Sequence, residues 1–388
     1  MPDTVTDQVA DALPGLIELR RDLHANPELG FYETRTAGII AARLNAAGLN
    51  IQAEVGGTGV VGVLDTGKAG PTLMIRADID ALPVSELSDL PFASTNGNMH
   101  ACGHDGHITM ALGAAELLAK RRDELTGKLV FVFQPAEEFV EGAKAMIADD
   151  VMSDHSPDRV IGLHLWNQYD TGFVGVNQAT VFASADQFEL TIRGKGGHGA
   201  LPHTAIDPVA ISAQVISALQ TVVSREIAPN AMGVVTVGQL TGGTAPNVIA
   251  DFVTIKGTIR AFTSDIREQI ISAVERTAKG IAETMRGGAE FKLLNGAPPV
   301  VNDPEVASWV AGIADQVPGV DQVGSHEEVP VGDDMAEFIN RAPGTYFLLG
   351  AGDPARPPHH NARFIFDEEC LPLGTEIFAR AALDYLGT

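Results

Sequence analysis

The sequence predicts an α/β domain with a mostly parallel central sheet flanked by helices, interrupted by an inserted α+β module. Three observations lead to this prediction. The chain has 388 residues, which favours two domains over a single core. In the first half, short apolar runs alternate with helical segments, as in a sheet buried on both faces. From about Asp186 the strands instead alternate apolar and polar side chains, as half-exposed strands do.

The first region supplies the helices and buried strands of the α/β domain. One helix ends before Pro27, and its apolar positions recur at helical spacing at Leu13, Leu16, Leu19 and Leu23. A second helix is predicted from Gly106 to Leu118, with Asp105 as its N-cap. Four short apolar runs predict buried strands, at Thr72–Ile75, Leu129–Phe133, Val160–Leu163 and Tyr346–Leu349.

The inserted module is predicted at residues 186–295, between the two parts of the first domain at 1–185 and 296–388. Its predicted elements are, in order, a strand at 188–192, a helix at Ala205–Arg225, strands at Gly233–Gly238 and Val248–Ile259, a helix from Ser264 to about Met285, and a strand at Glu290–Leu294. The order β-α-β-β-α-β is that of a split β-α-β sandwich.

Charge and cysteine content exclude several classes of function. The formal net charge is -24, from 50 acidic and 26 basic residues, which argues against nucleic-acid binding because phosphate affinity requires clustered Lys and Arg. No run of 18 apolar residues predicts a membrane span, and the N-terminal residues lack the pattern of a secretory signal. The only cysteines, Cys102 and Cys370, form no disulfide framework. We therefore expect a cytoplasmic protein with neither nucleic-acid nor membrane partners.

Ionisable residues follow three of the predicted strands. Asp78 and Asp80 follow the first strand, Glu137 and Glu138 follow the second, and His164 directly follows the third. Ligands in open α/β sheets gather at the carboxyl ends of the strands. We therefore expect these side chains to lie close together at one edge of the sheet.

The densest group of metal-ligating residue types is Met99-His-Ala-Cys-Gly-His-Asp-Gly-His107. A thiolate and an imidazole two residues apart suit zinc or a similar late first-row metal, and a thiol can bridge two ions. Gly103 lies between them and allows unusual backbone dihedrals. Two alternatives remain open: a polar loop with capping histidines, and a cysteine hydrolase with Cys102 as nucleophile and His104 as its base. The second alternative leaves the glutamates and the later histidines without a role.

The paired glutamates follow a buried strand, with Pro135 at its exit. Adjacent side chains in an extended segment point in different directions, so we expect one glutamate on a metal and the other on a water. Alone, such a pair would be read as solvated charges. Single histidines are equally ambiguous, because His164 could be a satisfied core residue and the glycine-rich loop around His198 could be a simple turn.

Five motifs taken together resemble the M20 metallopeptidases. They are His100-Ala-Cys-Gly-His-Asp-Gly-His107, Gln134-Pro-Ala-Glu-Glu138, Gly162-Leu-His164, Gly196-Gly-His-Gly-Ala-Leu-Pro-His203 and Pro358-His-His360. The match is closest to hippurate hydrolases, N-acyl-amino-acid amidohydrolases and auxin-conjugate hydrolases. It extends in the expected order from about Arg21 to Asp367 and thus covers nearly the whole chain.

The resemblance implies two divalent metal ions per subunit, zinc first, with manganese, cobalt or nickel as alternatives. Its implied ligands are Cys102 as the bridge, His104, Glu138, His164 and His360. Glu137 matches the general base. Asp78 matches an Asp that orients a ligand histidine, and Arg76 stands where the wider family has that histidine.

The resemblance also gives the inserted module a role as a lid and dimerisation domain. His198 matches a residue that the partner subunit supplies to polarise the scissile carbonyl, and Asn247 and Arg260 match positions that hold the substrate carboxylate. A homodimer is expected, with a tetramer as the alternative. At Gly332–Met335 the sequence departs from the usual Glu-Asp-Phe segment, which puts the shape of the acyl pocket in question.

The implied activity is hydrolysis of the amide bond of a small N-acyl amino acid, which releases a carboxylic acid and a free amino acid. Two other functions remain open on the sequence alone. One is a dipeptidase or carboxypeptidase of the same fold. The other is a catalytically silent metal- or ligand-binding protein, for which Glu137 would have no evident use.

Overall fold

The computed structural model of the protein describes residues 4–388. Its α-helices are α1 (Val5–Ala25), α2 (Thr34–Ala46), α3 (His104–Lys120), α4 (Gly142–Ala148), α5 (Val151–His155), α6 (Pro208–Glu226), α7 (Ser264–Thr284), α8 (Pro304–Ala314), α9 (Met335–Ile339) and α10 (Cys370–Leu386). Its strands are β1 (Asn50–Val55), β2 (Gly59–Asp65), β3 (Thr72–Asp78), β4 (Lys128–Gln134), β5 (Arg159–Asp170), β6 (Phe173–Gly175), β7 (Thr180–Phe182), β8 (Ala185–Arg193), β9 (Gly197–His198), β10 (Gly233–Gly242), β11 (Val248–Ile249), β12 (Phe252–Ala261), β13 (Gly288–Ala297), β14 (Val300–Val301), β15 (Gln322–Gly324) and β16 (Gly344–Gly352).

The chain divides into two compact units. The second unit comprises Phe182–Val300 and Glu328–Asp333, and the rest of the chain forms the first unit. The predicted insertion at 186–295 falls inside the second unit, which is a few residues longer at each end. The short segment Glu328–Asp333 also belongs to the second unit, which no local sequence pattern predicts.

The first unit is built on an eight-stranded mixed sheet in the order β1-β2-β4-β3-β5-β16-β6-β15. The central pairs β4–β3, β3–β5 and β5–β16 are parallel. The pairs β1–β2, β2–β4 and β16–β6 are antiparallel, and the edge pair β6–β15 is again parallel. The predicted α/β class is confirmed, with the parallel part at the centre of the sheet.

Apolar burial explains the central strands and the helices that cover them. β3 and β4 are buried along almost their whole length, as their unbroken apolar sequences predict. Leu19 and Leu23 of α1 share one core with Ile108 and Leu112 of α3. α1 begins at Val5, well before the first of the apolar positions that indicated it, because Thr4 and Asp7 form a capping box.

Two predicted boundaries in this unit are wrong. Asp105 is not the N-cap of α3, because the helix begins at His104, two residues before the predicted start, and its N-cap is Gly103 with a positive φ of 94°. The Asp105 carboxylate instead contacts Arg20 Nε at 2.9 Å and His24 Nδ1 at 2.8 Å. His164 does not follow its strand but lies in the middle of β5, which continues to Asp170.

The second unit contains a four-stranded antiparallel sheet in the order β10-β12-β8-β13. Helices α6 and α7 share an apolar core with this sheet. The single strand predicted at Val248–Ile259 is in fact two strands, because β11 pairs with β9 in a separate ladder. Asp251 lies between the two strands and accepts the Gly196 amide at 2.8 Å, which fixes the break.

None of the helices described for residues 4–388 has the length and apolarity required to cross a bilayer.

Candidate metal centre

The candidate centre lies at the carboxyl edge of the first unit's sheet. β3 and β4 run parallel, and their last residues, Asp78 and Gln134, are register partners. The Ile79 amide also donates to the Gln134 carbonyl at 2.9 Å. The residues after both strands, including Asp80 and Glu137, therefore emerge side by side, as the strand-end pattern predicted.

Two groups of donor atoms share the Cys102 thiol. Cys102 lies with His104 and His164 in one group, and with Glu138 and His360 in the other. Within each group the donor atoms lie within 4.8 Å of one another. The structure thus brings all five implied ligands together, with the cysteine common to both groups. This is the arrangement that a bridging thiolate requires.

Hydrogen bonds to backbone carbonyls fix the tautomer of both buried imidazoles when the rings are neutral. His104 Nδ1 donates to the Asp80 carbonyl at 2.9 Å, and His164 Nδ1 donates to the Leu165 carbonyl at 2.7 Å. In the neutral form of each ring Nε2 then carries the lone pair that a metal ion would take, and His164 Nε2 lies 3.5 Å from Cys102 Sγ. Such outer contacts fix the orientation of a ligand ring.

The second group contains His360 and Glu138 in addition to Cys102. His360 Nε2 lies 3.4 Å from Glu138 Oε2, and its side chain is 54% exposed, unlike the buried histidines. His360 has a positive φ of 64°, and its amide donates to the Ala101 carbonyl at 2.8 Å. This backbone contact places the residue beside the Cys102 loop.

The local charges favour a cation at this point. Burial of His104 opposes its protonated form, but Asp78, Asp80 and Glu138 outweigh burial and raise its pKa to about 10. Burial, together with nearby histidine rings, lowers the pKa of His164. His104 is thus surrounded by carboxylates, whose negative charge a bound cation would balance. His164 is kept neutral, as a metal ligand must be.

The residues fit a divalent metal site. Several buried side-chain atoms of the described residues have no hydrogen-bond partner, and two of them, His104 Nε2 and Glu138 Oε1, belong to the two donor groups. Buried polar atoms in proteins are otherwise almost always paired. Thiolate, imidazole and carboxylate are the donors that zinc and similar first-row ions take.

Glu137 lies beside these donors and is almost fully buried, with 6% exposed. Its Oε2 atom is 3.9 Å from His104 Nε2. The expectation of an extended segment with opposed glutamates is wrong, because residues Glu137–Phe139 form a 3₁₀ turn. A carboxylate oxygen of Glu137 and one of Glu138 both lie within 4.8 Å of a ring nitrogen of His104. Any difference in role between the two carboxylates must therefore come from their different neighbours rather than from opposite side-chain directions.

Arg76 is a buried cation whose guanidinium makes hydrogen bonds to four side chains. Its guanidinium donates to Asp78 at 2.7 Å, to Gln134 at 2.8 Å, to Tyr346 at 3.2 Å and to Asp334 at 3.1 Å. Asp334 also accepts from Gln134 at 2.6 Å. Asp334, which matches the Asp of the Glu-Asp-Phe segment, therefore supplies a carboxylate that balances Arg76.

Two residues without an assigned role contact the donor set. Asp80 Oδ1 lies 3.3 Å from His104 Nδ1, and Asp80 Oδ2 accepts the Glu138 amide at 3.0 Å. His107 contacts Asp78 at 2.5 Å and accepts the Leu165 amide at 2.9 Å. Asp78 Oδ2 is 3.7 Å from His104 Nε2, so Asp80 makes the shorter contacts with that ring. The only sequence signal for Asp80 was its place after a buried strand.

The second unit brings together two of its three implied site residues. His198 on β9 pairs in register with Val248, the neighbour of Asn247, whose carbonyl accepts the Gly199 amide at 2.8 Å. His198 Nδ1 accepts the Ala200 amide at 3.1 Å, so the neutral ring carries its proton on Nε2. Arg260 lies on β12 of the four-stranded sheet, where burial lowers its pKa.

A cluster of metal-ligand types with a buried carboxylate beside it, at the edge of an α/β sheet, is the site of a metal-binding hydrolase. Comparison with known proteins identifies the family. Residues 74–384 match the family model for peptidase family M20/M25/M40. The protein belongs to this family.

Relatives match the chain over nearly its full length. The putative amidohydrolase YhaA of Bacillus subtilis is 36% identical over 98% of this chain and 97% of its own. An N-acetylcysteine deacetylase of the same organism is 39% identical over 96% of this chain and 97% of its own. A solved structure of the Bacillus subtilis YxeP protein, described as a dinuclear metal-binding peptidase of the M20 family, is 35% identical. It covers 97% of this chain and 99% of its own, with a TM-score of 0.84.

Proposed function

We propose that the protein hydrolyses the amide bond of N-acyl amino acids, such as hippurate-like substrates, and releases a carboxylic acid and a free amino acid. The observation that carries this proposal is the buried Glu137 carboxylate beside two donor groups that share Cys102. Names of the relatives support the same chemistry, since one is a deacetylase of an N-acylated amino acid and another an amidohydrolase.

The first unit supplies the ligands and the proton carrier of this reaction. Cys102, His104, Glu138, His164 and His360 would hold two divalent ions. Such ions, when bound, lower the pKa of a water molecule and polarise the amide oxygen. Glu137 takes the proton of the attacking water and later delivers it to the leaving amine, as general base and then general acid.

The second unit supplies the groups that recognise the substrate. The Nε2 proton of His198 suits donation to the developing oxyanion, and comparable donors contribute about 3 kcal/mol. Arg260 can meet the substrate carboxylate with two parallel hydrogen bonds, and Asn247 can add an amide donor. A local cation of this kind also offsets the acidic surface that the net charge of -24 implies.

A hydrolysis panel on metal-stripped protein tests the proposed activity. Zinc, manganese, cobalt and nickel are added back separately, and the substrates are N-acyl amino acids, their C-terminal amides and unblocked dipeptides. We expect activity only after metal is added, and the lowest KM for substrates with a free carboxylate. Faster cleavage of the unblocked dipeptides would instead establish a dipeptidase. No hydrolysis with any metal would favour a silent binding protein.

We propose further that the protein is a homodimer in which His198 acts on the active site of the partner subunit. The support is the family resemblance and the exposed position of His198 on a two-residue strand. Equal amounts of inactive Glu137→Gln and inactive His198→Ala subunits are mixed and allowed to exchange. Half of the resulting dimers are hybrids with one intact site, so activity should return to about a quarter of the wild-type value. No recovery despite proven exchange would show that each chain uses its own His198.

A further inference from the structure

The backbone on both sides of Glu137 is bonded to carboxylates from two other parts of the first unit. The Ala136 amide donates to Glu33 Oε1 at 2.9 Å. The Glu138 amide donates to Asp80 Oδ2 at 3.0 Å. The implied base thus lies between two anchored peptide groups, one held from the start of α2 and the other from the end of β3.

This turn requires external support because its backbone is unfavourable. Ala136 has φ 50° and ψ 40°, and Val140 at the other end of the turn has φ 58°. Both are in the left-handed region, which residues with a Cβ adopt only at a cost. Local sequence supplies no glycine to relieve that cost, so tertiary contacts must fix the conformation.

The segment containing Glu33 packs directly against the turn. A Cβ atom added to Gly30 would lie 2.9 Å from the Ala136 Cα atom, so only a glycine allows this close approach. The two segments are distant in sequence, since Glu33 and Ala136 are 103 residues apart. Their contact is therefore a specific product of the fold.

Burial of Glu33 is not explained by helix capping. Glu33 occupies the N-cap position of α2, but its side chain makes no capping hydrogen bond. It is fully buried, and its second carboxylate oxygen accepts from the Thr58 hydroxyl. Burial raises the pKa of Glu33 to about 7, which shows how unfavourable this place is for the charged form. The start of α2 therefore does not account for this buried carboxyl group, whereas its contact with the Ala136 amide does.

We propose that Glu33 is a positioning residue, which holds the Ala136–Glu138 turn so that Glu137 meets the attacking water and Glu138 meets the metal. Glu33 itself touches neither substrate nor metal in this assignment. The proposal rests on the proposed function for the role of Glu137, but its effect on Glu138 is independent of any substrate.

Three variants separate this role from a general contribution to stability. Glu33→Gln keeps a carbonyl oxygen that can accept the Ala136 amide. Glu33→Met keeps the length of the side chain but has no acceptor, and Glu33→Ala replaces it if the methionine variant does not fold. Thr58→Val removes the other partner of Glu33 and leaves the Ala136 contact in place, so it is the matched control.

We expect Glu33→Met to lower kcat about 100-fold with KM within about twofold, because a displacement near 1 Å costs this much. Zinc affinity of the stripped protein should fall about 10-fold, as for other supporting contacts around a metal ligand. Glu33→Gln and Thr58→Val should both stay within about threefold of the wild type in each measurement.

Melting temperatures complete the test. If Glu33→Met lowers the melting temperature but leaves kcat and zinc affinity at wild-type values, Glu33 is only structural and the proposal is overturned. Equal losses in Glu33→Gln and Glu33→Met would overturn it as well, since the acceptor would then not matter. If the wild-type protein hydrolyses none of the panel, the proposed function fails, and the zinc affinities alone decide the role of Glu33.

Discussion

Replacing Glu137 with glutamine is expected to reduce kcat by about 10³- to 10⁴-fold while the metal content stays unchanged. The amide cannot take a proton from water, and positioned acid–base groups contribute about this much. Glutamine has nearly the same shape as glutamate, so the 3₁₀ turn and its amide contacts should persist. Metal content by mass spectrometry and steady-state kinetics on an N-acyl amino acid measure the two quantities.

The neighbouring substitution Glu138→Gln is the matched control for this prediction. Glu138 lies 3.4 Å from His360 in the second donor group, so its loss should lower metal affinity as well as turnover. If Glu137→Gln loses metal and Glu138→Gln keeps it, the roles of the two glutamates are exchanged. Full activity of Glu137→Gln with intact metal content would refute its role as the base.

Removal of the Cys102 thiol is expected to have the second large effect. Cys102 is the only donor common to both groups, so Cys102→Ala should disturb both metal positions at once. We expect fewer than two ions per chain and a loss of at least about 10³-fold in kcat/KM, because a missing direct ligand costs more than the 10- to 100-fold typical of supporting contacts.

Two further variants show whether this effect is specific. Cys102→Asp offers a carboxylate that can also bridge two ions, so it should bind two metals and recover part of the activity. Cys370→Ala changes the other cysteine, which is fully buried at the start of α10, and should leave metal content at the wild-type value. Two tightly bound ions in Cys102→Ala would rule out the bridging role.

The sequence predicted which ligand-type side chains lie close together, because that prediction needed only local patterns. Apolar runs identified the central strands, and acidic residues after two of these runs, β3 and β4, identified the edge of the sheet. The motif from His100 to His107 indicated the metal chemistry. Each inference used residues that are close together along the chain, where hydrophobic period and donor type are informative.

The details that failed depend on contacts between distant segments. Asp is a residue type that commonly caps helices, but the Asp105 carboxylate contacts His24, which is 81 residues away in sequence. A polar residue normally marks the end of a buried strand, so the sequence predicts His164 after its strand. In the structure His164 lies inside β5, where its ring contacts His107 and donates a hydrogen bond to the Leu165 carbonyl. Nothing local marks Glu33 or Asp80 as anchors of the Glu137 turn, since those bonds join separate elements.

Strand β16 lies in the interior of the sheet but is synthesised long after its neighbours β5 and β6, and this order affects folding during translation. β16 lies between β5 and β6, although residues 176–343 separate it from β6 along the chain. During translation, the edge of β5 therefore stays unpaired until Gly344–Gly352 emerges, and an open apolar edge invites aggregation. His360 follows eight residues after that strand, so a nascent chain cannot offer a complete donor set before its sheet can close. Slow synthesis of residues 171–352 should therefore prolong this exposed state, and long-range pairing of this kind folds slowly even in the finished chain.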